Sequence, residues 1–390
     1  MTEKSPTLSS IPPGATLGVL GGGQLGRMFA IAALQMGYKV VVLDPDPGSP
    51  AGALASEHLC ASYDDPQALE RMSQCDAVTI EFENIPVQSL QWLADKTRLA
   101  PGVSPVSIAQ NRVGEKTFAQ EHGVPTVEFA VIDAAEQIEA ACNIVGFPAI
   151  LKTTRLGYDG KGQLVCENVD AVKSGFETLG AVTCVLEERV ELAAEVSVVL
   201  ARTSSGDVSI CPVAENIHET GILDVSIAPA RVDKSVCEKA LDMANTLVQA
   251  MDYCGVLAVE FFVCTDGRVL MNEMAPRPHN SGHFSLDATT VSQFQLQVLA
   301  MCDVPLPACD LLSPVVMLNI LGDRWNTAVP KWERLYSENF TTHHVDNVVV
   351  QLHLYGKSEA RPGRKMGHVN IMSASLDTAL ESASKIKDYL

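Results

Sequence analysis

Basic residues are scarce in this chain. Its 390 residues include 28 Lys and Arg against 47 Asp and Glu, a formal charge of −19. That balance argues against a nucleic-acid or anionic-membrane surface, either of which would want a basic excess. Any phosphorylated ligand must then be held by a few cations focused in one place. Long apolar runs are missing too, so no membrane span is expected. The residues before Ala15 carry three prolines and several Ser and Thr. They lack the apolar stretch of a signal peptide, and a disordered tail is expected over 1–14. The eleven cysteines contain no C-x-x-C and no regular spacing. Cys166, Cys184 and Cys264 sit in apolar strands, as buried thiols do, which points to a reduced, cytoplasmic compartment. The usual phosphate loop, G-x-x-x-x-G-K-[ST], is absent as well.

What is present fits a globular enzyme of two or three domains, with 47% apolar and 19% charged residues. Ala15 to Leu20 reads as a strand, Gly21, Gly23 and Gly26 form G-x-G-x-x-G, Arg27 to Met36 reads as a helix, and Lys39 to Leu43 is a strand ending at Asp44. This is the dinucleotide-binding fingerprint, and by itself it permits an NAD(P)-dependent oxidoreductase. Such units also serve as substrate or phosphate sites, or only as packing. A further strand, Asp76 to Phe82, delivers Glu83 to the ligand crevice or to a helix N-terminus. The pattern over Ser107 to Glu121 is helical and carries Arg112 and Lys116.

Residues 147–166 combine an apolar strand ending in Lys152, a loop with Gly157, Gly160 and Gly162 around Tyr158, Asp159 and Lys161, and a second strand from Gln163 to Cys166. Backbone N–H groups freed by glycine can close on an anion, and lysine adds point charge. A strand follows the loop where a phosphate-binding helix would be expected, so the segment reads as a hairpin flap over phosphates, or as an ordinary solvated hairpin.

Gly255 to Cys264 and Arg268 to Met274 are apolar strands joined through Asp266-Gly267, the signal of a two-residue type I′ turn. That register sets Glu260 opposite Glu273, with Cβ atoms ~4.5–5.5 Å apart. Opposed carboxylates in apolar strands suit Mg²⁺ shared with phosphates and water; a pair sharing a proton is the other possibility. In this register Asn272 belongs to the opposite face unless a bulge intervenes. The loop after it, with Arg277, His279 and Asn280 stiffened by two prolines, has the composition to face an oxyanion. Near the C-terminus, Lys357, Arg361, Arg364 and Lys365 make a basic loop that suits a phosphomonoester or is simply solvated.

Lysine strand, glycine flap and paired carboxylates, in that order, resemble the ATP-grasp superfamily. The strings Gly-Gly-Gly-Gln-Leu-Gly-Arg-Met (21–28), Gly-Tyr-Asp-Gly-Lys-Gly-Gln (157–163) and Asn-Glu-Met-Ala-Pro-Arg-Pro-His-Asn-Ser-Gly-His (272–283) narrow the resemblance to the 5-(carboxyamino)imidazole ribonucleotide synthase family. The resemblance implies an α/β protein with an N-terminal Rossmann-like domain over 15–108, an ATP-grasp domain over 109–310 with a flap subdomain near 122–188, and a small β-rich domain over 311–390. It implies a homodimeric purine-pathway ligase that uses ATP, Mg²⁺ (two ions) and bicarbonate to carboxylate the exocyclic amine of 5-aminoimidazole ribonucleotide through carboxyphosphate.

By the same resemblance, Arg112 and Lys152 would bind ATP phosphates under the flap residues Gly157 to Gln163. Glu187, Glu188, Arg189 and Val190 would hold adenine, with Glu195 at the ribose and His218 lining the nucleotide site. Glu260 and Glu273, with Asn272 nearby, would bind Mg²⁺. Arg277, His279 and Asn280 would face bicarbonate. Gln24, Leu25, Glu83, Lys357, Arg364 and Lys365 would hold the aminoimidazole ribonucleotide. His279, Tyr158 and the leaving phosphate remain alternative acceptors of the amine proton. A formate-using glycinamide ribonucleotide transformylase is the neighbouring alternative, and a non-catalytic nucleotide sensor a more distant one.

Overall fold

The structure is a computed structural model and describes residues 10–155, 157, 162–325, 330, 332–336 and 348–389. Tyr158, Asp159, Gly160 and Lys161 of the expected flap lie outside the described residues.

The apolar runs Thr16–Leu20, Lys39–Leu43 and Ala77–Ile80 form adjacent strands of a parallel sheet, buried on both faces. Five strands lie in the order Glu57–Leu59, Lys39–Leu43, Thr16–Leu20, Ala77–Ile80, Arg98–Leu99. Thr16–Leu20 pairs on both sides, so the strand order reverses there and the glycine turn after Leu20 opens on the crevice. The helix Gln24–Gln35 covers one face and shares a core with the helix Gln293–Met301, through Phe29, Phe294, Val298 and Met301. Gln297 ties the two parts together: its Nε2 donates to Thr79 Oγ1 (2.8 Å) and its Oε1 accepts from Val256 N (2.6 Å).

A four-stranded antiparallel sheet follows, in the order Phe129–Ile132, Cys184–Glu188, Ala149–Thr153, Gln163–Cys166. Lys152 pairs with Gln163, so the expected hairpin on either side of the glycine loop is present. A nine-stranded sheet then runs from Val269–Ala275 to Val349–Leu354. The C-terminal strands extend this sheet, joined where Ile222–Ala228 pairs with Val315–Leu321.

Three local expectations change. The helical stretch 107–121 is two helices, Val103–Ala109 and Arg112–Glu121, because Asn111 interrupts it as an N-cap. Its Oδ1 accepts from Val113 N (2.9 Å). The turn at Asp266-Gly267 is not type I′, which needs positive φ at both residues; only Gly267 has it, at +87°. Asp266 instead accepts from Arg268 N (3.0 Å), and Cys264 N donates to Arg268 O (2.9 Å), closing a three-residue loop. Finally, Cys211 and Cys309 form a disulfide (Cα–Cα 4.8 Å), although Cys166, Cys184 and Cys264 are buried free thiols as expected. Among the described residues no helix is long and apolar enough to cross a membrane.

Candidate active site

The three-residue loop alone would put Glu260 out of step with Glu273. A bulge restores the pairing: Phe261 pairs with Met271, Glu260 pairs with Glu273, and Asn272 is the extra residue. The turn and the bulge displace the register in opposite senses, so the expected opposition of the two carboxylates holds by a different route. The bulge also frees Asn272 from the strict alternation of the strand. Its Oδ1 and the Oε1 of Glu260 are buried atoms with no hydrogen-bond partner among the described residues.

The helix Arg112–Glu121 lies along this strand. Arg112 Nη1 contacts Glu273 Oε2 at 3.0 Å. Lys116, fully buried, reaches Glu187 Oε1 at 3.3 Å, and Lys152 reaches Glu187 Oε2 at 2.7 Å. Burial opposes the charge of Glu187, but Lys152 and Lys116 outweigh it and pull its carboxyl down to about 2. Glu273 is likewise pushed up by burial and held low overall by Arg112 and Lys152. Glu260 lacks such a partner. Burial, reinforced by the Glu273 charge, raises it to about 7.

Lys152 and Glu187 also belong to the wall of a cavity of about 460 Å³, with Pro148, Ile150, Val190 and Phe262. Glu188 and Arg189 line the same cavity; Glu188 also pairs with Arg268 (3.0 Å), and Arg189 N donates to Pro148 O (3.1 Å). Glu195 Oε2 lies 3.1 Å from His218 Nδ1. Burial disfavours the charged ring of His218, but Glu195 and Glu260 outweigh it and raise its pKa.

The loop after Ala275 meets the first sheet. Arg277 Nε donates to Glu83 Oε2 at 2.7 Å. Burial works to raise the Glu83 carboxyl, and Arg277 holds it below the usual range. His279 Nδ1 is 3.6 Å from Glu260 Oε1. Burial, with Arg277 and Lys365 nearby, keeps its ring well below the ordinary histidine pKa and therefore neutral. Asn280 is turned away from these groups: its amide makes a reciprocal pair with Asn319, at 3.0 and 2.7 Å.

At the glycine turn, Lys357 Nζ donates to Gln24 Oε1 (2.5 Å) and to Lys365 O (2.7 Å), bringing the basic loop onto the N-terminus of the helix Gln24–Gln35. Leu25 is buried in the core. Arg364 Nη1 donates to Glu359 O (2.8 Å) on its own loop.

Glu81 carried no expectation, yet it fills the turn. Its carboxylate accepts from Gly23 N (2.7 Å) and from Gly26 N, while Asp44 Oδ2 accepts from Gly22 N (2.7 Å) and Tyr63 Oη (3.0 Å). The N–H groups that would greet a dinucleotide pyrophosphate are thus taken by the chain's own carboxylates. The only sequence signal was position, since Glu81 follows the strand next to Thr16–Leu20. Glu115 and Lys116 lie three and four residues beyond Arg112, and hence on its helix face.

Comparison with known proteins agrees with this layout. The ribonucleotide synthetase preATP-grasp domain family matches residues 14–110 and the ATP-grasp domain family matches 117–294. The phosphoribosylaminoimidazole carboxylase C-terminal domain family matches 315–382. The chain is 41% identical over 368 residues to the N5-carboxyaminoimidazole ribonucleotide synthase of Bacillus subtilis, covering 94% of each. It superposes on N5-carboxyaminoimidazole synthetase from Staphylococcus aureus complexed with ADP at a TM-score of 0.90 and 35% identity, covering 98% of this chain and 99% of that one. It also superposes on the Aspergillus clavatus N5-carboxyaminoimidazole synthase, in complex with ADP and 5-aminoimidazole ribonucleotide, at 0.85 and 29%, covering 96% and 98%. By these likenesses, which span its parallel-sheet crevice, its buried lysines and its opposed glutamates, the protein belongs to the N5-carboxyaminoimidazole ribonucleotide synthase family of ATP-grasp ligases.

Proposed function

We propose that this chain uses ATP and bicarbonate to carboxylate the exocyclic amine of 5-aminoimidazole ribonucleotide, releasing ADP and phosphate. The observation that carries the reading is a continuous polar path. Lys152 and Glu187 stand in the wall of the cavity, Glu187 links Lys152 to Lys116, and Lys116 reaches the strand that bears Glu273. A base held between Ile150 and Phe262 would direct its phosphates past Lys152 toward the carboxylates.

The donor set fits Mg²⁺. Glu260 and Glu273 oppose each other, and the orphaned Oε1 of Glu260 and Oδ1 of Asn272 are hard oxygen donors. Among the described residues no three His, Cys, Asp or Glu side chains converge, so phosphate oxygens and water would complete the shell. When bound, Mg²⁺ neutralises phosphate charge during transfer. The chain's own groups do the rest. Arg112 and Lys152 hold the polyphosphate, and Glu195 with His218 holds the ribose. Arg277, fixed by Glu83, faces bicarbonate. His279, next to Glu260, stands on the path of the proton lost by the amine. Lys357 and Lys365, against Gln24, hold the ribonucleotide phosphate.

The plugged glycine turn supports this reading over a nicotinamide enzyme. The enzyme is further proposed to act in the cytoplasm as a homodimer. Ile31 and Leu34, 37% and 40% exposed on the helix Gln24–Gln35, support a protein contact on the first domain. ADP formation that requires both bicarbonate and 5-aminoimidazole ribonucleotide is the test of the activity.

A further inference from the structure

Three consecutive residues of the strand Val269–Ala275 are gripped by three residues on one face of the helix Arg112–Glu121. Lys116 Nζ donates to the carbonyl of Asn272 (3.3 Å), Arg112 contacts the carboxylate of Glu273 (3.0 Å), and Glu115 Oε1 accepts from Met274 N. Lys116 is fully buried and Glu115 is 2% exposed. The strand is the edge of its sheet. Its outer backbone groups would otherwise be open, and Met271 N is closed off in the same way by Pro125 O (2.8 Å).

Burying the polar side chains of Glu115 and Lys116 against an edge strand is costly when an apolar helix face would cover it as well. What the polar face adds is a fixed backbone position on each side of Glu273. A bulge leaves its extra residue without ladder partners and the ladder locally disrupted. A slide by one residue would move Glu273 away from Glu260 and turn it to the opposite face.

We propose that Glu115 and Lys116 are positioning residues of the ligase reaction. By holding the carbonyl of Asn272 and the N–H of Met274, they lock the bulge that sets Glu273 opposite Glu260 and leaves Asn272 Oδ1 unpartnered. This inference rests on the reading of Glu260, Glu273 and Asn272 as the Mg²⁺ donors. The two residues touch neither substrate nor metal. Their effect is carried by the strand.

The test measures Mn²⁺ binding to the full chain with saturating ADP, by electron paramagnetic resonance, beside melting temperature and steady-state kinetics. Glu115→Leu and Lys116→Met are expected to weaken Mn²⁺ binding by about 10- to 100-fold, as loss of a group that orients a metal ligand does. Turnover should return toward the wild-type rate at high metal concentration, with KM for the ribonucleotide unchanged. Glu115→Gln keeps an acceptor oxygen for Met274 N and should bind Mn²⁺ within about threefold of wild type. Should Glu115→Leu not fold, Lys116→Met and the Glu115→Gln comparison carry the decision. Folded variants with wild-type Mn²⁺ affinity would overturn the positioning role. A wild-type ADP complex that binds no Mn²⁺ would overturn the metal reading itself, and this inference with it.

Discussion

Lys152 and Glu187 face each other across neighbouring strands, Nζ to Oε2 at 2.7 Å, with both side chains almost wholly buried. Lys116 adds a second cation at 3.3 Å from the other oxygen. One carboxylate therefore holds two lysines beside the cavity. Its removal leaves both buried without their counter-charge. Glu187→Gln is expected to destabilise the chain by about 3–5 kcal/mol, the cost of breaking a buried pair from one side. It should also lower ATP affinity. A melting temperature within the wild-type error would contradict this.

The pH dependence of stability should carry the mark of the raised carboxyls. Burial pushes Glu81 up to about 7 and Glu260 to about 7. Between an unfolded carboxyl near ~4.3 and the folded value, the native state keeps a proton that the unfolded chain has lost. Stability should therefore fall as pH rises from about 5 to 8. Glu81→Gln, which cannot titrate, should show a shallower fall, read by denaturant unfolding at several pH values. A slope equal to wild type would show that Glu81 does not hold its proton in this range.

Arg277 depends on Glu83 for its orientation. Glu83→Ala should lower kcat and raise KM for bicarbonate, together reducing kcat/KM by about 10- to 100-fold, because a misplaced positioning group costs rate more than binding. KM for ATP should stay near wild type. A change confined to ATP would place Arg277 elsewhere in the reaction.

Lys357 is the cation that meets Gln24 at the glycine turn. Lys357→Ala should raise KM for the ribonucleotide about 10-fold or more, with KM for ATP changed by less than about twofold, since the phosphate contact is remote from the nucleotide cavity. Equal effects on both substrates would contradict the assignment.

Much of this site was legible from residue order. Lys152 near a strand end and a loop with Arg277 and His279 fall where periodicity puts them, and Glu260 does oppose Glu273. Other features depended on long-range packing that no local pattern encodes. The route to the Glu260–Glu273 pairing was misread, because the three-residue loop and the bulge at Asn272 compensate each other and leave no net trace in the spacing. Glu81 was hidden because its partners, Gly23 and Gly26, lie 58 and 55 residues away. The amide pair of Asn280 and Asn319 joins segments 39 residues apart, and so gave no sequence cue. The split of the helix at Asn111, by contrast, was readable, since an Asn between two helical stretches is a strong N-cap.

The most direct measurement is ADP release with Mg-ATP and bicarbonate, with and without 5-aminoimidazole ribonucleotide, alongside glycinamide ribonucleotide plus formate. The account predicts ADP release stimulated by the aminoimidazole ribonucleotide, dependent on bicarbonate, and abolished in a folded Glu273→Gln variant. Stimulation only by glycinamide ribonucleotide and formate, or full activity in Glu273→Gln at saturating Mg²⁺, would contradict it.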